Sequence, residues 1–169
     1  MKPIDALNDM DVHVGARKTG ETDAVFADGD FTADAQGVWQ GDIVLNGVTP
    51  GSDYFLYVKG PKHIQKKICS ANPAETYVGS YSCGDIGTVK LQKGDNAIDL
   101  SHIALLSGDL PEQDGLANSY DLSTVRNLLG STDAESLRQA DVNLDGIVDT
   151  QDYSLILNSL AFRFDERPE

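Results

Sequence analysis

Asp141-Val-Asn-Leu-Asp-Gly-Ile-Val-Asp-Thr-Gln-Asp152 is the stretch on which the reading of this chain turns. Counted from Asp141, side chains with oxygen donors stand at positions 1, 3, 5, 9 and 12: Asp141, Asn143, Asp145, Asp149 and Asp152. Gly146 holds position 6 and Ile147 position 7. The spacing suits one continuous loop wrapped round a hard divalent cation. Such an ion takes roughly six to eight oxygens at about 2.4 Å, and a glycine allows the sharp turn this requires. Position 7 then donates its backbone carbonyl. A solvated acidic turn would need only two or three of these residues, whereas all seven positions agree here.

These are the offsets of an EF-hand loop, and the ion they imply is calcium. Position 12 departs from the usual pattern, being Asp152 rather than Glu. Only the short stretch Asp133–Ala140 precedes the loop, too brief for a full entering helix. A degenerate copy lies 31 residues upstream, where Asp114-Gly-Leu-Ala-Asn-Ser-Tyr-Asp-Leu-Ser123 aligns with Asp145-Gly-Ile-Val-Asp-Thr-Gln-Asp-Tyr-Ser154. Two loop-helix units with Asp at position 12, joined by a short middle helix, resemble the type I dockerin module over about Ser107 to Phe164. The resemblance implies two calcium sites. One is formed by Asp141, Asn143, Asp145, the Ile147 carbonyl, Asp149 and Asp152. The other, weaker, is formed by Asp109, Asp114, the Leu116 carbonyl, Asn118 and Asp121. The first loop, Asp109-Leu-Pro-Glu-Gln-Asp114, is one residue too long, so either Glu112 or Gln113 could fill its remaining position.

The resemblance also implies a cohesin-type protein partner, met through loop positions 10 and 11 and the helix turns that follow. Those residues are Ser119, Tyr120 and Arg126 in the first copy and Thr150, Gln151 and Asn158 in the second. Ser119–Leu129 carries Leu122, Val125 and Leu129 on one helical stripe, and Gly130 ends it. Thr132-Asp-Ala-Glu135 reads as a capping box for the middle helix. Asp152–Ala161 places Tyr153, Ile156, Leu157 and Leu160 on a stripe that reads as core. Because Arg126 aligns with Leu157, the two docking faces differ, and a single binding mode centred on the first copy is expected.

Charge divides the chain at the same place. Residues 1–104 carry a net charge of −5 and residues 105–169, which have no lysine, −9. That balance argues against nucleic acid as a partner. No apolar run approaches the roughly 18 residues needed to span a bilayer. Pro3-Ile-Asp-Ala-Leu-Asn-Asp is too polar for a secretory core, so a signal or anchor is expected to have been removed. Cys69 and Cys83, 14 apart, suggest a disulfide formed in an oxidising compartment, with two free buried thiols as the alternative. An extracellular or cell-surface location and a monomer are expected.

Residues 11–106 read as β structure. Candidate strands are Val12–Arg17, Ala24–Ala27, Gly37–Leu45, Tyr54–Val58, Ile64–Cys69, Tyr77–Ser82, Gly87–Leu91 and Asn96–Leu106, separated by turns such as Asp28-Gly29 and Val48-Thr-Pro-Gly51. Short strands at this spacing suggest a β-sandwich. Gly-Val-x-Pro-Gly-x-x-Tyr-x-x-Tyr-Val-Lys looks like the prealbumin-like or Cna-B-type sandwiches of bacterial surfaces. The whole arrangement is similar to dockerin-bearing predicted exported proteins of uncultured bacteria. The expected layout is α+β: a tail at 1–10, a sandwich over 11–106, a dockerin-like part over 107–164 packed on it, and a tail at 165–169. Only Ser107-Gly108 separates the two parts, so they cannot swing freely.

Three features invite a sharper reading. Lys59-Gly-Pro-Lys-His-Ile-Gln-Lys-Lys67 could grip an anionic cell-wall or polysaccharide surface, or simply keep a strand soluble. Trp39 with Tyr54 and Tyr57 could form a sugar-stacking platform, or serve as packing. Catalysis finds no support: no nucleophile motif is present, and His13, His63 and His102 have no recognisable partners. The function classes left are a docking protein and a calcium-stabilised surface protein whose two parts clamp together.

Overall fold

The computed structural model describes residues 2–84, 88–110, 113–162 and 164–167. The chain is α+β, an antiparallel sheet followed by three helices. The strands are β1 (Met10–Lys18), β2 (Ala24–Ala33), β3 (Trp39–Gln40), β4 (Asp53–Lys59), β5 (Lys66–Ile68) and β6 (Val89–Lys90). Their order is β3-β2-β1-β4-β5, with β6 also paired to β4. Alternation in β1 turns Val12, Val14 and Ala16 to one face, where they meet Tyr54, Leu56 and Val58 of β4. Strand β4 is buried on both faces from Tyr54 to Lys59. On its reverse side, Phe55 lies under the Arg17 guanidinium at 5.2 Å and the Lys67 ammonium at 4.3 Å.

Several expected strands are not strands. Strand β2 runs straight through Asp28-Gly29-Asp30, which the sequence suggests is a turn. Gly29 is there for space: a Cβ would stand 2.6 Å from the Asp42 carbonyl oxygen. Tyr77–Ser82 and Asn96–Leu106 are irregular, and of Gly37–Leu45 only Trp39–Gln40 pairs. Their apolar side chains still do the work of a facing layer. Ile43, Leu45, Tyr81, Ile98, Leu100 and Ile103 pack on the inner face of the sheet. Among the described residues that face is therefore covered by coil rather than by strands. Tyr54 and Tyr57 are buried in this arrangement and cannot stack on a sugar from solvent.

Cys69 and Cys83 form a disulfide with Cα atoms 5.8 Å apart. It ties the end of β5 to the coil carrying Tyr81, whose hydroxyl accepts the Cys69 N–H at 3.0 Å. Closing a loop of about 15 residues restricts the unfolded chain by roughly 3 kcal/mol. Cys69→Ser with Cys83→Ser is expected to lower stability in denaturant by that order. An unchanged denaturation midpoint would show that the coil layer needs no such tie.

Helices α1 (Ser119–Asn127), α2 (Ala134–Ala140) and α3 (Thr150–Ser159) enclose a second, separate core of Val125, Leu137, Val142, Val148 and Ile156. Asp133, not Thr132, caps α2, accepting the Ser136 N–H at 3.0 Å and its hydroxyl at 2.7 Å. Leu129 and Leu157, expected in the core stripes, are 45% and 50% exposed. Each stripe needs fewer large side chains than the sequence offers, because the loops supply Val142 and Val148 from the ends of the helices.

Residues 4–7 and 165–166 are tied down too. Leu7, in the short 3-10 turn Asp5–Leu7, joins the helical core, and the Ile4 N–H donates to the Leu144 carbonyl at 3.0 Å. Residues 165–166, expected as a tail, run along β5. Asp165 Oδ1 accepts the Gln65 N–H at 2.7 Å, and Glu166 Oε2 accepts the Lys67 N–H at 2.6 Å.

Candidate metal centre

The second loop is built by its own side chains. Asp149 caps α3 by accepting the Gln151 N–H at 2.6 Å, and Asp152 returns Oδ2 to the Asp149 N–H at 2.8 Å. Asp152 Oδ1 reaches back across the loop to the N–H groups of Val142 at 2.7 Å and Asn143 at 3.1 Å. Asp141 accepts from Gly146 at 2.9 Å and from Asp145 at 3.2 Å. Asn143 Oδ1 and Asp145 Oδ1 accept from the backbones of Asp145 and Ile147 at 3.0 and 3.2 Å. Gly146 turns the chain with φ at +94°, a conformation other residues rarely adopt. Positions 1, 3, 5, 9 and 12 are thus all drawn onto the loop's own amides.

Among the described residues, the first loop repeats five of these bonds. Gly115 donates to Asp109 Oδ2 at 3.1 Å as Gly146 does to Asp141. Leu116 donates to Asp114 at 2.9 Å as Ile147 does to Asp145. Asp121 accepts from Leu110 at 2.6 Å and Asn118 at 2.7 Å, as Asp152 does from Val142 and Asp149. Asn118 caps α1 by accepting the Tyr120 N–H at 2.7 Å. Gln113, just before Asp114, takes a φ of +48°, as its counterpart Leu144, just before Asp145, takes +62°. Gln113 is exposed, and Glu112 lies outside the described residues.

Charge tests whether calcium suits these loops. Asp109, Asp121, Asp141 and Asp152 are all removed from solvent. Burial pushes the Asp141 carboxyl above the usual carboxylate range, and the neighbouring Asp152 charge adds to this. Burial raises Asp121 likewise, with Asp109 adding to it. Asp109 Oδ1 is buried without a hydrogen-bond partner. Among the described residues, no three acidic, His or Cys side chains close on a common point as they stand, because their oxygens are turned onto amides. The donor set is nevertheless what a hard cation takes: oxygens only, on one short loop, with buried negative charge to offset. It fits calcium in both loops, and the second has the fuller set.

Two side chains at these loops carry no signal in the sequence. The Lys59 ammonium, at the end of β4, donates to Asp109 Oδ2 and, at 2.7 Å, to Asp165 Oδ2. Burial opposes its charge, but the two carboxylates outweigh burial and hold its pKa above that of an ordinary lysine. The Lys62 ammonium donates to the carbonyls of Leu137 at 3.0 Å and Asp141 at 2.6 Å, capping α2 where the second loop begins. Burial lowers its pKa to about 8, against the pull of Asp141 and Asp152. Lys66 pairs with Glu166 at 3.0 Å. Lys59, Lys62 and Lys66 of the basic run are therefore engaged by the acidic half of the same chain, while Lys67 lies over Phe55. The boundary is stitched as well. Ile64 donates to the Leu106 carbonyl just before it at 2.7 Å, and Gly108 donates across it to the Lys62 carbonyl at 3.0 Å.

Ser119, Tyr120, Arg126, Thr150, Gln151 and Asn158 are all exposed along α1 and α3, which pack against each other. Leu157 is exposed beside them.

Residues 107–161 match the family model for the dockerin type I domain. No curated protein and no solved structure matches the chain. The match supports a type I dockerin module over that stretch, a calcium-binding and cohesin-docking class of module. No helix among the described residues is long and apolar enough to cross a membrane.

Proposed function

We propose that the chain is a non-catalytic extracellular calcium-binding protein whose helical part docks onto a cohesin-type receptor, anchoring the β part in a surface or cellulosome-like assembly. The observation that carries this reading is the pair of loops with shared hydrogen bonds, each leading into a capped helix, within the stretch that matches the dockerin family model. The disulfide is in keeping with an oxidising location. Each loop takes one calcium, the second more tightly, and the protein acts as a monomer.

A second reading has its own support. The lysines of β4 and of the segment after it bind the helical part directly, as expected of a calcium-stabilised clamp with no outside partner. The two readings are compatible, because the exposed residues of α1 and α3 are not the ones bonded to the β part.

The test is affinity for a panel of cohesins from the same source, with calcium and with chelator. Tyr120 and Arg126 are side-chain types that often dominate interfaces, at about 2 kcal/mol or more when truncated. Tyr120→Ala and Arg126→Ala are therefore expected to weaken binding by roughly 30-fold each. The exposure of Leu157 changes the expectation of a single mode: Leu157 offers the second copy an apolar contact where the first has Arg126. Leu157→Ala with Gln151→Ala tests that face, and a loss equal to that of the first-copy pair would establish two modes. If no cohesin binds even with calcium present, the clamp alone remains.

A further inference from the structure

The two loops share a backbone pattern but not a counter-charge. In the second, the wholly buried carboxylates Asp141 and Asp152 have no ion-pair partner among the described residues, and nearby Lys62 spends its protons on carbonyls. In the first, an ammonium from the other half of the chain sits on the leading carboxylate, Asp109, and is itself buried. Asp165, from beyond the helices, closes the group from the far side. The loop that receives the lysine is also the one whose third position is out of register.

We propose that Lys59 is a built-in counter-cation of the first loop, holding that loop folded without calcium and leaving the second loop as the part of the protein that depends on the ion. This rests on the calcium reading above and adds a division of labour to it. A carboxylate buried away from water requires a cation or hydrogen-bond donors nearby, and for Asp109 the chain provides both, in Lys59 and the Gly115 amide. Asp109 Oδ1 is left for an ion, but that ion must bind a carboxylate already shared with an ammonium. Like charges on one carboxylate repel, so calcium binds the first loop more weakly because Lys59 is there. The first loop thereby serves as a fixed joint between the two halves of the chain, and the second as the calcium-responsive element.

The experiment follows the amides of Gly115 and Gly146 by NMR in the full chain labelled with 15N-glycine. Each donates to the first carboxylate of its own loop and reports on that loop alone. In chelator, wild type is expected to keep slow hydrogen exchange at Gly115 while Gly146 exchanges fast. On adding calcium, Gly146 responds first. Lys59→Met is expected to lose protection at Gly115 in chelator and to bind calcium there about tenfold or more tightly. Lys59→Arg, which keeps the charge, should retain slow exchange at Gly115. If Lys59→Met folds only with calcium, that supports the proposal. If it folds in neither condition, Lys59→Arg decides: slow exchange at Gly115 in chelator supports the proposal, and fast exchange there in a folded protein overturns it. Unaltered protection and midpoint at Gly115 in a folded Lys59→Met also overturn it, as does wild type losing both loops together in chelator. A wild type in which neither glycine responds to calcium refutes the calcium reading instead, and the exchange in chelator still tests Lys59.

Discussion

Asp152→Ala is expected to unfold the helical part in chelator and to abolish the stabilisation that calcium gives it. Asp152 is wholly buried and accepts three backbone N–H groups, from Val142, Asn143 and Asp149. Each buried donor left unpaired costs about 1–3 kcal/mol, so the backbone loss alone is on the order of 3 kcal/mol or more. The ion's contribution goes with it: about 2.7 kcal/mol for ligand at a hundred times its dissociation constant. A core assembled from so few large apolar side chains has little in reserve. Denaturant unfolding followed by far-ultraviolet circular dichroism, with calcium and with chelator, separates the two losses. A wild type that gains no stability from calcium would show that the loop is held by its amides alone.

Replacing Asp165 and Glu166 together by alanine is expected to break the unfolding of the chain into two transitions. These carboxylates accept from Lys59, Lys66 and the N–H groups of Gln65 and Lys67, and so cover the edge of β5. Removing one side of a buried ion pair leaves an uncompensated charge and costs about 3–5 kcal/mol. Lys59 keeps Asp109 and Lys66 is less buried, so a loss near the lower end is expected. Differential scanning calorimetry should show a single endotherm in wild type and two in the double variant. One endotherm of unchanged midpoint would mean that the stitching at residues 106–108 suffices.

The second loop was legible in the sequence because each position has one chemical task at a fixed offset, and no distant residue alters that task. The helix starts could have been placed better still: Asn118 with Asp121 and Asp149 with Asp152 are capping pairs at the ordinary spacing, visible without a structure. The lysine contacts were not legible. Lys59 meets Asp109 and Asp165 from 50 and 106 residues away, and nothing in a run of lysines says which carboxylates it will face. The β part was legible where strands pair with sequence neighbours, as β1 with β2. It was not legible over residues 77–84 and 91–106, where apolar residues pack as coil beside a disulfide and leave no period to read. Gly29 misled because glycine beside aspartate suggests a turn, while here it admits the close approach of Asp42. Leu157 misled because its stripe continues past what the small core can hold.

The way the ends of the chain cross over bears on portability. Ile4 and Leu7 belong to the helical part by contact, and Asp165 and Glu166 belong to the β part. A fragment cut at Ser107, the natural place to excise a transplantable cassette, would leave Leu7, Lys59 and Lys62 behind. Grafted onto a foreign carrier, it would present a bared apolar patch, an unanswered carboxylate and an α2 without the lysine at its C-terminal end. Gene fusions made from this chain should therefore keep residues 4–7 and 59–62 together with the helical part.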